Sequence, residues 1–273
     1  MKFKPPPLAC DAHCHVFGPA ARFPYDPNAA YVPQDAPFEA LQALHAKLGL
    51  ERAVIVHASC HGADMRVTLD AIARSQGRYR GTAIIDETYG DRDFQKMHDG
   101  GIRAVRFNFV RHLGARPDMG FFKRTVDRLP AMGWHLILHL DAQDLPELDG
   151  VFRTLPVPFV IDHMGRVKAA EGLDQPPFKV LLAAMKNEKC WVKICGAERV
   201  SSKGPPFADA VPFARALIES APERVLWGTD WPHPNVRWMP DDAALVELFP
   251  LMAPEPQLQY KILVDNPARL YGF

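Results

Sequence analysis

Features that mark whole classes of protein are missing from this chain. Lys plus Arg and Asp plus Glu stand at 32 each, so no net charge draws it to nucleic acid or to an anionic membrane surface. A preference for an anionic ligand must therefore come from arginines placed locally. No apolar run approaches the roughly 18 residues that a membrane-spanning helix needs. The opening MKFKPPPLAC lacks the long apolar core of a secretory leader. The five cysteines (Cys10, Cys14, Cys60, Cys190 and Cys195) are odd in number and form no CxxC pair. Four of them sit in apolar, strand-like stretches, where buried free thiols are expected, and this suits a reducing, cytoplasmic compartment. Neither a GxGxxG nor a Walker-type phosphate loop is present, and no linker or repeat divides the chain.

What is present is a globular composition, 48% hydrophobic and 23% charged over 273 residues, arranged as alternating short apolar runs and amphipathic stretches. Strands are expected at 8–13, 53–58, 81–85, 104–107, 136–140, 159–162, 190–194 and 225–228. Most are rich in Val, Ile and Leu on both faces, as strands covered on both sides should be. Helical patterns lie between them at 37–48, 64–76, 91–99, 119–132, 144–154, 178–187 and 207–220, with another after Asp241. Eight β-then-α units in about 250 residues predict one α/β domain over 1–273, a closed (β/α)8 TIM barrel. A doubly wound open sheet usually needs fewer strands and often a phosphate loop. Pro- and Gly-rich loops follow strands one, seven and eight, at the end where such a barrel keeps its chemistry.

Polar residues of one kind gather at those strand ends. His13 and His15 close the first strand, and residues i and i+2 of a strand share a face. His139 ends the fifth strand in LILHLD, His163 follows the sixth in FVIDHMG, and Asp230 follows the eighth in VLWGTDWPHP. Each alone can be a satisfied core residue; five on four different strands are hard to explain as packing. Convergent imidazoles can hold a divalent metal or polarise a carbonyl, and the carboxylate can ligate or take a proton from water.

These positions resemble the amidohydrolase superfamily. The segments CDAHCHVFGP at 10–19, SCHGAD at 59–64, VRFNF at 105–109, DHMGR at 162–166, WGTDWPHP at 227–234 and DNPARLY at 265–271 are similar to the 2-pyrone-4,6-dicarboxylate lactonases. The resemblance implies a barrel of the amidohydrolase type and a hydrolase that opens an acidic lactone in aromatic-compound breakdown. It makes Asp230 the base that activates water and His13, His15 and His163 the groups that polarise the carbonyl. It makes Arg106 and Arg199 the clamps for substrate carboxylates, whose planar fork suits that task, with Tyr31 and Ser59 adding hydrogen bonds. Structural ion pairs remain the plain alternative for both arginines, and loop packing for Tyr31.

The chain departs from the lactonase pattern at two places. A tyrosine is expected where His139 stands, and this histidine restores a possible metal-ligand set of His13, His15, His139, His163 and Asp230. Zinc is the first candidate ion and manganese the second; metal-free catalysis stays equally open. A second clamp arginine is expected where His112 stands, with Arg111 beside it and Arg116 a little further on, so any of the three can supply a second anion contact. A metal-dependent decarboxylase and a lactone isomerase of the same superfamily are the competing readings. A barrel kept only for binding fits poorly, because every expected catalytic position is filled. The sequence does not select an oligomeric state.

Overall fold

A computed structural model of the chain describes residues 1–114 and 116–273. Eight parallel strands form one sheet in sequential order: β1 (Cys10–Cys14), β2 (Arg52–Val56), β3 (Tyr79–Ala83), β4 (Ile102–Asn108), β5 (His135–His139), β6 (Phe159–Ile161), β7 (Cys190–Lys193) and β8 (Val225–Leu226). The helices α1 (Phe38–Leu48), α2 (Arg66–Arg74), α3 (Asp91–Asp99), α4 (Met119–Met132), α5 (Leu145–Thr154), α6 (Pro176–Ala184), α7 (Ala197–Val200), α8 (Val211–Ser220), α9 (Asp242–Met252), α10 (Pro256–Tyr260) and α11 (Asn266–Tyr271) lie between and after them. The (β/α)8 barrel read from the periodicity is the architecture observed. Strand eight is shorter than its apolar text suggests, because Gly228 and the residues after it leave the ladder to serve the active end. Arg199 sits on the single turn of α7.

Strand alternation sorts each strand into an outer and an inner face. Leu136 and Leu138 of β5 pack outward against the helices, while Ile137 packs inward. The inward set forms an apolar floor of Cys10, Ala12, Val54, Val56, Ala104, Ile137, Val160, Trp191 and Leu226. Tyr271 of α11 joins that floor beside His135, the first residue of β5, and so closes the N-terminal end of the barrel. Two residues further along several strands, the same inward face changes character. Ala104 leads to Arg106, Ile137 to His139, Val160 to Asp162 and Trp191 to Lys193, all of them buried. The barrel thus has an apolar base and an ionic upper layer.

Strand β1 breaks this alternation, and the break matters. Asp11 aligns with Ala53 but Cys14 with Ile55, so β1 carries one residue more than its partner. This bulge turns Cys14 out into the helix-facing core and leaves His13 and His15 facing inward. Gly228 makes the room, since a Cβ there would sit 2.4 Å from the His13 amide nitrogen. Backbone bonds then tie the end of the sheet to its start: Ala12 N donates to Trp227 O at 2.9 Å, Asp230 N to His13 O at 2.7 Å and His15 N to Trp231 O at 2.8 Å. Asp11 reinforces the seam by accepting from the Thr229 amide at 3.0 Å and its hydroxyl at 2.6 Å. Gly228→Ala should lower the stability by more than the 1–3 kcal/mol of ordinary overpacking, because the clash is with backbone; a urea titration measures it, and a loss under 1 kcal/mol would remove the steric argument.

Candidate active site

Asp230 is the centre of a buried cluster. Its Oδ1 lies 3.5 Å from His13 Nε2, 3.3 Å from His15 Nε2 and 3.9 Å from His163 Nε2. Its Oδ2 accepts from Arg199 Nε at 2.7 Å, with Arg199 Nη2 at 2.6 Å. One carboxylate oxygen is therefore held by a guanidinium while the other faces three imidazoles. Burial alone would raise the Asp230 pKa, but Arg199, His163, His15 and His13 together outweigh it and hold the carboxyl well below the usual range, ionised at neutral pH. The imidazoles go the other way. His13 is lowered to about 4, first by burial and then by the Lys193 charge, and burial holds His163 and His139 well below the ordinary imidazole value as well. These three rings are neutral in the working range, able to donate or accept but carrying no charge of their own.

The loops bring the side chains in by unusual backbone. His163, Met164, Gly165 and Arg166 all have positive φ, near 52°, 54°, 64° and 52°, a single left-handed turn directly after β6. That turn presents both His163 and Arg166 to one cleft. Asp230 is left-handed as well, at φ 67°. Non-glycine residues rarely adopt this region, and the surrounding structure must hold them there. Gly196 helps to do so: it has φ 79°, and a Cβ on it would lie 2.8 Å from His163 Nδ1, the atom that Cys195 Sγ meets at 3.3 Å.

A second buried network holds His13. Lys193 Nζ, with no solvent exposure, lies 3.2 Å from both His13 Nδ1 and Asp162 Oδ1. Asp162 Oδ2 accepts from Arg106 Nε at 3.0 Å. Burial opposes the ionised form of Asp162, yet Lys193, His13 and Arg106 together keep its pKa well below the ordinary value. Sequence reasoning passed over Lys193, because a lysine in the apolar run CWVKIC reads as a strand residue; its i+2 relation to Trp191 was the signal available. Glu198 lies beside Arg199, 3.5 Å away. Neither of its buried carboxylate oxygens has a hydrogen-bond partner among the described residues. Burial and the Asp230 charge push its pKa up to about 7.

The cleft above Asp230 is lined by His15, Tyr31, Ser59, Arg106, His112, His139, His163, Arg166 and Arg199, together with Pro234 and Asn235. Most of the expected ligand-binding residues therefore meet in one place, including Tyr31, Ser59 and His112. Arg111 and Arg116 do not line it. Arg116 is committed to Asp144 and Glu147, and Arg111 is largely exposed with its nearest carboxylate at 3.9 Å. Arg166 is the lining arginine that the sequence reading left without a role.

Part of this donor set suits a divalent metal ion. His15 Nδ1 lies 2.7 Å from the Val56 carbonyl, which can only accept, so that nitrogen carries a proton and Nε2, 3.3 Å from Asp230 Oδ1, is the nitrogen available to an ion. His13 Nε2 is buried with no hydrogen-bond partner among the described residues. The ligand atoms of His13, His15 and Asp230 lie within 4.8 Å of one another, and this set fits one ion. His163 groups instead with His13 and Cys195, and His139 belongs to no such group among the described residues. The five-residue ligand set expected from the sequence thus contracts to three, with His139 a wall of the cleft, 5.5 Å ring to ring from His163.

The buried Lys193–Asp162 pair gives a stability test. Lys193→Met leaves Asp162 buried with Arg106 as its remaining cation and should cost about 3–5 kcal/mol in a denaturant titration; a loss below 1 kcal/mol would show that the pair does not hold this layer.

Residues 10–273 match the amidohydrolase family. The chain is 45% identical to a 2-pyrone-4,6-dicarboxylate hydrolase of Comamonas testosteroni over 99% of its own length and 92% of the relative's. It is 41% identical to a 4-sulfomuconolactone hydrolase of Hydrogenophaga intermedia, covering 100% of this chain and 91% of that one. A crystal structure of a 2-pyrone-4,6-dicarboxylic acid hydrolase assigned in Pseudomonas putida superposes with a TM-score of 0.84 at 31% identity, covering 97% of both chains. With a barrel of the expected topology, a His–Asp cluster at its C-terminal end and a match over nearly its whole length, the chain belongs to the amidohydrolase family.

Proposed function

We propose that this chain is a hydrolase that opens the ring of an acidic lactone, 2-pyrone-4,6-dicarboxylate or a related carboxylated or sulfonated lactone of aromatic-compound catabolism. The observation that carries this reading is the division of labour at Asp230. Oδ2 is fixed by Arg199, and Oδ1 faces three histidines in a cleft walled by arginines. A water beside Oδ1 gives up a proton to the carboxylate as its oxygen attacks the lactone carbonyl. Imidazole N–H groups oriented towards that carbonyl stabilise the charge that develops on its oxygen. When the ring C–O bond breaks, the same proton passes from Asp230 to the departing ring oxygen. The arginines hold the anionic substituents so that the carbonyl lies over the histidines.

A divalent ion on His13, His15 and Asp230, zinc before manganese for such donors, would add Lewis-acid polarisation and acidify bound water. His13 and His15 would then hold the ion rather than donate hydrogen bonds, while the arginines still orient the lactone and Asp230 still takes the proton from water. The five cysteines are free and buried, which suits a reducing compartment such as the cytoplasm. No helix among the described residues is long and apolar enough to cross a membrane.

The test is direct. Asp230→Asn should lower kcat/KM for 2-pyrone-4,6-dicarboxylate by about 10²–10⁴-fold, the usual worth of a positioned base, with the native circular-dichroism spectrum retained at assay temperature; retained turnover would remove Asp230 from the role. Release of carbon dioxide instead of a ring-opened acid would overturn hydrolysis in favour of decarboxylation. Chelation followed by elemental analysis assigns the metal: an unchanged rate in ion-free protein assigns catalysis to side chains, and a loss restored by Zn2+ or Mn2+ assigns it to the ion.

A further inference from the structure

A neutral histidine keeps one proton, and the contact made by one ring nitrogen decides which of the two holds it. The three rings around Asp230 have three different kinds of neighbour at Nδ1. His15 Nδ1 faces the Val56 carbonyl, an acceptor. His163 Nδ1 meets the Cys195 thiol, which can donate or accept. His13 Nδ1 meets Lys193 Nζ at 3.2 Å, and an ammonium carries three hydrogens and no lone pair. A proton on His13 Nδ1 would therefore set one N–H against another. The acceptor that such a proton could use is Asp162 Oδ1, 3.4 Å away. That oxygen makes no hydrogen bond among the described residues, whereas Lys193 lies 3.2 Å from both groups. Lys193 sits on β7 with no solvent exposure, so the contact belongs to the buried ionic layer. At the other end of the ring, His13 Nε2 has no hydrogen-bond partner among the described residues and lies 3.5 Å from Asp230 Oδ1. A proton on Nε2 is unspent and faces the reacting end of the site.

We propose that Lys193 is a positioning residue that holds His13 in the tautomer protonated on Nε2, so that His13 enters the site as an N–H donor and that nitrogen is closed to a metal ion. What the donor serves rests on the lactonase reading above; the tautomer itself does not. The ligand atoms of His13, His15 and Asp230 are close enough for one ion. An ion on His13 Nε2 nevertheless requires the proton to move to Nδ1 and the Lys193 contact to break. Lys193 thus weights the site towards a carbonyl held by imidazole N–H, with two ligands open to an ion and the third shut.

The test reads the tautomer directly. Long-range proton–nitrogen NMR spectra of metal-free wild type, labelled in its histidines and assigned with His13→Gln, should show the His13 proton on Nε2. A proton on Nδ1, or one shared between the two nitrogens, would overturn the proposal. In Lys193→Met the proton should move to Nδ1, and calorimetry should find Zn2+ bound roughly 10- to 100-fold more tightly, the usual effect of a partner of a ligating imidazole. Lys193→Gln still offers an N–H but no charge, so its gain should be smaller. Equal gains would assign the effect to charge, and no gain in either variant would free the ion from the tautomer; both outcomes overturn the proposal. Lactone turnover by Lys193→Met should fall mainly in kcat, and an unchanged kcat in a variant whose proton has moved would remove Lys193 from the reaction. If Lys193→Met does not fold, the wild-type spectrum still decides. If wild type opens no lactone, the lactonase reading fails alone, because neither the spectra nor the calorimetry uses one.

Discussion

The bulge in β1 turns two histidines into the barrel, and Gly228 on the opposing segment makes the room; Asp230 faces imidazoles because of that pair. A regular β1 would put His13 on the outer face with Cys14 inside, and the carboxylate after β8 would meet a thiol. The extra residue costs a ladder position, which the seam recovers through side chains. Asp11 accepts from the amide and hydroxyl of Thr229 and meets His45 Nε2 at 3.2 Å, so the weak edge of the sheet is tied to the neighbouring helix as well. Structure and chemistry therefore share one joint, and a perturbation of the joint is felt at both.

Above the apolar floor, the barrel buries charges that would be costly alone. It manages them by sharing: Asp162 lies between Lys193 and Arg106, and Asp230 between Arg199 and the histidines. Desolvation opposes ionisation at both carboxyls, and adjacent cations reverse the outcome. The same desolvation keeps His13, His139 and His163 neutral. One physical effect thus sets opposite protonation states for the acids and the imidazoles, which is the combination that water activation beside a polarised carbonyl requires.

Much of this was legible before any coordinates. The alternation of apolar runs and amphipathic stretches reports burial on both faces of a parallel sheet, and eight repeats leave few architectures. His13, His15, His163 and Asp230 were visible because polar side chains at the ends of apolar strands have few structural reasons to be there. The rest depended on geometry that sequence spacing does not carry. The pairing of HxH with an i, i+2 rule reached the right face for an incomplete reason, since the bulge is what orients β1. Lys193 was hidden by its apolar neighbours, and Arg166 by a left-handed turn that no local propensity announces. His139 fitted a ligand pattern by strand position, whereas its nitrogens stand apart from the three-donor group. Arg116 looked available until Asp144 and Glu147 came into reach from 28 and 31 residues away.

The positive-φ residues explain why the active end needs so firm a scaffold. His163, Met164 and Arg166 after β6, and Asp230, His233 and Asn235 after β8, lie in backbone that side chains with a Cβ occupy at a cost of roughly 1–2 kcal/mol each. Relaxing that backbone would withdraw His163 and Arg166 from one wall of the cleft and Asp230 from its centre. The opposing restraint is local and identifiable: Asp230 N donates to His13 O, His233 N to Asp230 O, and His233 Nε2 meets Asp242 on α9 at 2.9 Å. At the active end the strain thus sits in two loops, each anchored on a buried strand at its start; Leu8, Gln76 and Phe207 adopt positive φ elsewhere in the chain. The apolar floor beneath contains no comparable irregularity, which lets the barrel hold functional residues in conformations that they would not adopt alone.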